Sequence, residues 1–418
     1  MAATRRVAYV FAASFVVFAS ACTYCNAEED LARQARMTLC ELATSFDYPC
    51  EISHVTTEDG YLLELDRVQR GREHTATGAK ESNGTRGYPV LFLPACTTTS
   101  DIWLLNYPSQ APGFLYADAG FDAWFLHTRE TERYANHTDL SKNDPEYWKF
   151  SFEEIGRYDV AAGIDHVLNA TGAPKLTVIT YSQGAMDMLA LLSMRPEYND
   201  KVDLVVAYGP GGNTSRMGPP MSLVMPFTPL ITAFVYPFSK AGYVGTSDGL
   251  SELLAELCKI FNGKACALGF LTTLYASPYQ LNATRLPVYV GHVPVGSTLQ
   301  NMNHYYQIYR AKDFVMYDHG AKENRKRYGQ TKPPAYPLEC ITARWAIFSS
   351  EGDQLANPRV VGDLVARLGP RVILHRVVPQ RTLRHLDFVL GYRATDFLHN
   401  VAIDTIKQNV DRSPSKSF

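Results

Sequence analysis

The stretch that decides the fold runs from Leu176 to Met194 and reads LTVITYSQGAMDMLALLSM. Leu176–Thr180 is apolar or β-branched, which favours a buried strand. Ala185–Met194 has the apolar composition of a helix that packs on a sheet. Between them Ser182 lies at the tip of a sharp turn, the strand–turn–helix context of a nucleophilic serine. The backbone N–H of Gln183 and the helix N-terminus then favour an anion formed there during acyl transfer.

This turn departs from the usual pattern, in which glycine stands two residues before and two residues after the serine. Gly184 is present, whereas Thr180 occupies the first glycine position. A second stretch, GTSDG at 245–249, fits the pattern fully, with Ser247 at its centre. It does not follow a buried strand, and its serine before an apolar run is typical of a helix cap. We therefore predict Ser182 as the nucleophile.

The chain has 418 residues, of which 46% are hydrophobic and 20% charged, so it can bury a large core. The formal net charge of −2 gives no electrostatic footprint for nucleic-acid binding. The basic run at 322–327 is most simply a solvated surface. No cysteine or histidine spacing resembles a metal site, and no cofactor is predicted.

The N-terminus carries basic residues, an apolar stretch over 7–21 and then small residues, which is typical of a secretory signal peptide. The apolar stretch is too short for a comfortable membrane span, and we find no second stretch long and clean enough for one. We place the cleavage after Ala27, so that 1–27 is the signal peptide, with cleavage after Ala21 as the alternative. Secretion is therefore expected.

Glycosylation sequons and cysteines agree with this route. The candidate glycosylation sites are Asn83, Asn136, Asn169, Asn213 and Asn282. In an oxidising compartment, Cys258 and Cys266 are predicted to form a disulfide around a short loop, which typically contributes about 2 to 4 kcal/mol. The pairing of the other cysteines in the mature chain stays open; these are Cys40, Cys50, Cys96 and Cys340.

Strands alternate with helices at both ends of the chain, which favours a mostly parallel sheet with helices on both faces. The predicted strands include 90–93, 121–126, 176–180, 202–208, 344–348 and 371–378, and the predicted helices 155–170, 359–368 and 394–408. Residues 209–340 begin rich in Gly, Pro and Met and continue helical and aromatic without clear sheet strands. We predict that they form a cap or lid, inserted into an α/β core made of 28–208 and 341–418.

The returning core supplies the base and the carboxylate that a nucleophilic serine needs. Asp353 follows one predicted strand, and His385 lies in the loop after the next. In a parallel sheet these loops meet the serine turn at the same edge. The order Ser182, Asp353, His385 is that of the α/β-hydrolases. Glu351 and Asp387 are neighbouring carboxylates that could take the place of Asp353.

The chain resembles the metazoan acid lipases, the gastric and lysosomal type of α/β-hydrolase, over nearly all of its mature length. The matching motifs are YPCE at 48–51, VTTEDGY at 55–61, ADAGFDAW at 117–124, FSFEEIGRYD at 150–159, QNMNHYYQ at 300–307, GDQLANP at 352–358 and HLDF at 385–388. The resemblance implies hydrolysis of neutral lipid esters such as triacylglycerol or sterol ester, at a lipid–water interface. It implies Ser182 as nucleophile, His385 as general base and acid, and Asp353 as the orienting carboxylate. A lysosomal location becomes the alternative to secretion.

The resemblance also implies that the backbone N–H groups of Thr97 and Gln183 form the oxyanion hole. The family carries Gly-His-Ser-Gln-Gly at the serine turn and Gln-His-Gly-Leu at the oxyanion turn. This chain has Thr180-Tyr181 before the serine and Pro94-Ala95-Cys96-Thr97 at the oxyanion turn. Cys96 stands where glycine lets the chain turn closely, and losing one oxyanion donor typically costs about 10² to 10³ in rate. The alternative hypothesis is therefore a catalytically impaired relative that binds or carries lipid.

Overall fold

The computed structural model describes residues 29–72, 87–245 and 276–411. The predicted signal peptide, the sequon at Asn83, the rejected Ser247 motif and the predicted Cys258–Cys266 disulfide lie outside the described residues.

Within these residues a nine-stranded sheet forms the centre of the molecule. Its strands are β1 (Glu51–Thr56), β2 (Tyr61–Val68), β3 (Pro89–Leu93), β4 (Asp122–Leu126), β5 (Ala135–His137), β6 (Leu176–Tyr181), β7 (Val202–Tyr208), β10 (Arg344–Ser349) and β11 (Val372–Val377). The spatial order is β1-β2-β4-β3-β6-β7-β10-β11, and β5 pairs with β2. All pairs from β4 to β11 along this order are parallel, whereas β2 pairs antiparallel with β1, β4 and β5.

Helices cover both faces of the sheet, and an apolar core lies on each face. The longer helices are α1 (Leu39–Ser45), α2 (Pro112–Asp118), α3 (Ala161–Thr171), α4 (Gln183–Met194), α5 (Thr228–Val235), α6 (Leu286–His292), α7 (Leu299–Ala311), α8 (Ala321–Tyr328), α9 (Pro358–Leu368) and α10 (Asn400–Asp411). Strands β3, β4, β6 and β7 are buried along their whole length because helices pack on both of their faces. The predicted α/β architecture is confirmed.

The predicted strands and helices agree with the structure to within one or two residues at most ends. Two differences concern the helices: the predicted helix 155–170 begins as a π-helix over Ile155–Val160, and the closing helix begins as a π-helix over Thr395–His399. The three-residue strand β5 was not predicted. So short an element is held by its pairing with β2 rather than by a pattern of its own.

Residues 209–343 connect β7 to its neighbour β10, and we call this segment the insertion. It contains α5 to α8 and a two-stranded antiparallel ribbon of β8 (Tyr243–Gly245) and β9 (Gly296–Thr298). This short ribbon, which the sequence did not predict, is separate from the central sheet. The helical run Met221–Phe238, within the described residues, is long and apolar enough to cross a membrane by length and composition, and its mean hydropathy is 1.5.

The structure resolves part of the cysteine pairing that the sequence left open. Cys40 and Cys50 form a disulfide with a Cα–Cα distance of 5.3 Å, and Cys96 and Cys340 are free thiols. This bridge joins α1 to the residue that immediately precedes β1. A covalent link of this kind is typical of proteins that fold in an oxidising compartment.

The described sequons differ in accessibility. Asn136 and Asn169 are exposed, and Asn282 is half-buried. Asn213 is only 4% exposed, and its side-chain amide donates a hydrogen bond to the Lys312 carbonyl at 2.8 Å. Asn213 is therefore the least accessible of the described sequons, and glycosylation at all of them stays a prediction.

Candidate active site

The serine turn lies between β6 and α4 and holds its backbone in a strained conformation. Ser182 has φ 51° and ψ −110°, a region that residues with a side chain rarely adopt. Its N–H donates to the Tyr208 carbonyl and its own carbonyl accepts the Gly211 N–H, each at 3.0 Å. These bonds fix the turn against the end of β7, so that the side chain stands above the carboxyl edge of the sheet.

The departure from glycine at Thr180 is accommodated locally. Thr180 is fully buried within β6, and its hydroxyl donates to the Val206 carbonyl of the neighbouring strand at 3.3 Å. Gly184 is the position where the turn requires glycine. A Cβ there would lie 2.8 Å from the Pro94 carbonyl oxygen, which leads into the oxyanion turn.

The structure brings Ser182, His385 and Asp353 together. The Nε2 atom of His385 lies 2.7 Å from the Ser182 Oγ, and its Nδ1 lies 2.7 Å from an Asp353 carboxylate oxygen. Asp353 is fully buried, and its other oxygen accepts the N–H groups of Leu355 and Ala356 at 2.8 and 3.0 Å. The carboxylate is thereby fixed, and it holds the imidazole in the tautomer that can accept a proton from the serine.

The neighbouring carboxylates have other roles. Glu351 forms an ion pair with Arg381 at the surface, with an N–O distance of 3.2 Å. Asp387 is buried and accepts the backbone N–H groups of Arg384 and Ser277 at 2.8 and 3.1 Å. Its burial raises the pKa of Asp387 to about 7. Asp387 thus fixes the loop on which the histidine lies, and Asp353 is the carboxylate that contacts the imidazole.

Tyr181, at the position where the family has histidine, supports the loop of His385. Its hydroxyl donates to the His385 carbonyl at 3.1 Å, and the two rings lie 5.2 Å apart. Within the described residues, His127, His292, His304 and His399 are also buried, and they lie outside this triad. His304 bonds to the Ser151 hydroxyl and the Val315 carbonyl, and burial lowers its pKa to about 3.

The oxyanion turn follows β3 and differs from the expectation for Cys96. Thr97, and not Cys96, has the left-handed backbone, with φ 60°. Cys96 therefore needs no glycine-like conformation, whereas the β-branched Thr97 is strained. Within the described residues, neither the Thr97 N–H nor the Gln183 N–H bonds to a protein acceptor. The Thr97 carbonyl accepts the Val295 N–H of the insertion at 2.9 Å.

Sequence reasoning missed one buried acid beside this turn. Glu130, in the loop after β4, is 1% exposed, and one of its carboxylate oxygens lies 3.0 Å from the Gln183 amide nitrogen. Its burial raises the pKa of Glu130 to about 7. No motif marks this residue, because its partners lie far away along the chain.

Within the described residues two groups have atoms spaced as metal ligands, and neither contains a residue of the predicted triad. One consists of Asp66 with Cys40 and Cys50, which are joined as a disulfide and so offer no thiolate. The other consists of Glu64, Asp66 and His127, whose atoms lie within 4.8 Å of one another. His127 and Asp66 are fully buried, with an N–O distance of 2.9 Å. Although burial opposes the charged imidazole, the Asp66 carboxylate raises the pKa of His127 overall. A buried ion pair accounts for this contact.

A serine in a strand–turn–helix motif, together with a histidine and a carboxylate at the carboxyl edge of a mostly parallel sheet, defines an α/β-hydrolase. Residues 39–107 match the family model described as the partial α/β-hydrolase lipase region. The chain is 30% identical to lipase lipl-1 of Caenorhabditis elegans (94% of this chain, 96% of the relative). It is 32% identical to lipase member N of Mus musculus (89% and 91%) and 29% identical to gastric triacylglycerol lipase of Bos taurus (90% and 92%). The chain belongs to the acid lipase family of α/β-hydrolases, whose matched members are named lipases.

The geometry predicts different effects for the two neighbouring acids. Asp353→Asn removes the acceptor that fixes the imidazole tautomer and should lower kcat for an ester by about 10³ to 10⁴. Glu351→Gln, two residues away and at the surface, should change kcat less than about twofold. Steady-state kinetics on a soluble ester measures both. An equal loss in both variants would contradict the assignment of Asp353.

Proposed function

We propose that the protein is a serine lipase or carboxylesterase that hydrolyses neutral lipid esters, such as triacylglycerol or sterol ester. The observation that carries this proposal is the continuous hydrogen-bonded chain from Ser182 Oγ through His385 to Asp353, with both distances at 2.7 Å. Nucleophile, base and orienting carboxylate then have the contacts that acyl transfer requires.

In the proposed reaction, His385 Nε2 takes the Ser182 hydroxyl proton while Oγ attacks the ester carbonyl carbon. The carbonyl oxygen becomes an oxyanion, which the N–H groups of Thr97 and Gln183 stabilise. As the carbon–alkoxy bond breaks, His385 returns the proton to the departing alcohol and an acyl-serine remains. Water then attacks the acyl group with His385 as base, which releases the fatty acid and restores the serine.

The insertion is proposed to serve as the cap that meets the lipid interface. Its helical run Met221–Phe238 contains no charged residue and exposes large apolar side chains. Leu223, Phe234 and Phe238 are 67%, 73% and 79% exposed. A contiguous exposed apolar surface of this kind is typical of a site that contacts lipid.

Secretion remains part of the proposal, with a lysosomal location as the alternative. The signal-like N-terminus supports it at the sequence level, and the Cys40–Cys50 disulfide is consistent with an oxidising compartment.

A second candidate function is lipid binding without turnover, and the strained Thr97 favours it. A β-branched residue with φ 60° is unusual in a segment that must present its N–H to an oxyanion. The same site with a poorly aimed donor would bind an ester and release it unchanged.

Ester hydrolysis by the purified mature chain separates these functions. The wild type should hydrolyse both a short soluble ester and an emulsified triacylglycerol or sterol ester. Ser182→Ala should lose about 10⁴ or more in kcat because it lacks the nucleophile. If the wild type binds the lipid ester saturably but hydrolyses it no faster than Ser182→Ala does, the binding function is established instead.

The apolar run predicts a dependence on substrate form. Leu223→Asp should reduce hydrolysis of emulsified long-chain esters at least about tenfold, since burying one leucine contributes about 1.5 to 3 kcal/mol. Hydrolysis of a short soluble ester should change less than about twofold. Ile52→Asp, which charges an exposed apolar position on the edge strand β1, serves as the matched control. Equal losses on both substrates in a folded Leu223→Asp protein would remove the interfacial role.

A further inference from the structure

We propose that Glu130 is a positioning residue. It holds Gln183 and the oxyanion turn, which form the two sides of the proposed oxyanion hole, against the insertion. This proposal rests on the proposed ester hydrolysis, because it assigns Gln183 to the oxyanion hole. It adds a residue that lies in neither the triad nor the serine turn.

Four segments of the chain meet at the Glu130 carboxylate. One carboxylate oxygen, Oε2, accepts the Gln183 side-chain amide of α4 at 3.0 Å. The other, Oε1, accepts the Asn301 amide at 2.8 Å, the Ser297 hydroxyl, and the Cys96 thiol at 3.8 Å. Ser297 and Asn301 belong to the insertion, whereas Cys96 belongs to the oxyanion turn. One side chain thus links the insertion to both sides of the predicted oxyanion hole.

The direction of each hydrogen bond in this network is set by a backbone group. The Phe152 N–H donates to Asn301 Oδ1 at 3.0 Å, so the Asn301 amide must present its nitrogen to the other side. That nitrogen donates to Glu130 Oε1 and to Gln183 Oε1, both at 2.8 Å. Since Gln183 Oε1 is an acceptor, its Nε2 must be the donor to Glu130 Oε2.

Both oxygens of residue 130 must therefore be acceptors. A glutamine at this position would turn its own N–H₂ group toward the nitrogen of either Gln183 or Asn301. Neither partner can rotate to relieve the conflict. A rotated Asn301 would turn its N–H₂ group toward the Phe152 N–H, and a rotated Gln183 would turn its own toward the Asn301 nitrogen. The Tyr305 hydroxyl also donates to Gln183 Oε1 at 2.9 Å. A buried donor that faces another donor costs about 1 to 3 kcal/mol.

The Glu130 carboxylate is surrounded by neutral hydrogen-bond donors and is not paired with a cation within the described residues. Within the described residues, its hydrogen-bond partners are neutral donors rather than lysine or arginine. The titratable groups that face it are Cys96, Asp187 from α4 and Tyr305 from α7. Burial is the main cause that raises the pKa of each of these three groups, and the charge of Glu130 raises each of them further. The Cys96 thiol thus stays protonated and remains a donor to the carboxylate.

Glu130→Gln changes one atom of this network, and its effect on kinetics tests the proposal. We expect kcat on a short soluble ester to fall about tenfold with KM changed less than twofold, since a displaced oxyanion donor weakens the transition state and leaves ground-state binding intact. Glu153→Gln is the matched control. Glu153 is also buried and burial raises its pKa to about 7, but it accepts from the Tyr336 hydroxyl and the Tyr317 N–H rather than from residues at the predicted oxyanion hole.

Exchanging the acid and the amide between positions 130 and 183 should restore the activity that Glu130→Gln loses. In the double variant Glu130→Gln with Gln183→Glu, residue 130 donates to residue 183, while Asn301 and Tyr305 keep an acceptor at 183. Every hydrogen bond is then satisfied and the number of acids is unchanged. We expect this double variant to recover most of the tenfold loss, although it carries two substitutions at the site.

Amide hydrogen exchange gives a second readout that does not need turnover. Peptides covering 94–99 and 295–301 should lose protection in Glu130→Gln and keep it in Glu153→Gln. A wild type that lacks ester hydrolysis would refute the proposed function, and the exchange data would still test the link. The role of Glu130 would be overturned if Glu130→Gln kept the kcat and the amide protection of the wild type. Equal losses of kcat and protection in Glu130→Gln and Glu153→Gln would overturn it as well.

Discussion

The strained turn at Ser182 is the constraint on which the rest of the site depends. A backbone with φ 51° at a residue with a side chain costs on the order of 1 to 3 kcal/mol and persists only where its surroundings hold it. Here the hydrogen bonds to Tyr208 and Gly211 at the end of β7 hold it. Because β6 lies between β3 and β7, the same turn places the serine beside the oxyanion turn and opposite the loop of His385. The order of the strands therefore determines, through the position of Ser182, which loops surround the proposed nucleophile.

The departures from the family pattern are compensated by contacts that differ in kind. Thr180 finds a carbonyl acceptor in β7, and Tyr181 supports the histidine loop through its hydroxyl. The Cys96 thiol contacts the Glu130 carboxylate. The left-handed backbone conformation of this turn is adopted by Thr97 and not by Cys96. The second proposed oxyanion residue, Gln183, has its side chain bound by residues of the insertion. Polar contacts with the insertion thus help to position the proposed site.

The sequence carried enough information for the sheet, the inserted segment and the proposed triad. Long apolar strands and the strand–turn–helix context are local signals, and Asp353 and His385 follow from the order of strands in a parallel sheet. Glu130 carries no local signal, since its partners at 183, 297 and 301 come together only in the folded chain. The same reason explains why the burial of Asn213 was missed, since its partner is the carbonyl of residue 312.

Labelling by a fluorophosphonate, followed by peptide mapping, measures the activated serine and its oxyanion site together. The phosphonate reacts only where a base has made the serine nucleophilic and donors stabilise the phosphoryl oxygen. We expect one stoichiometric adduct on Ser182, absent in Ser182→Ala and slowed in Asp353→Asn. Absence of labelling in the folded wild type, or an adduct on Ser247 instead, would contradict the assignment of this site as the centre of ester hydrolysis.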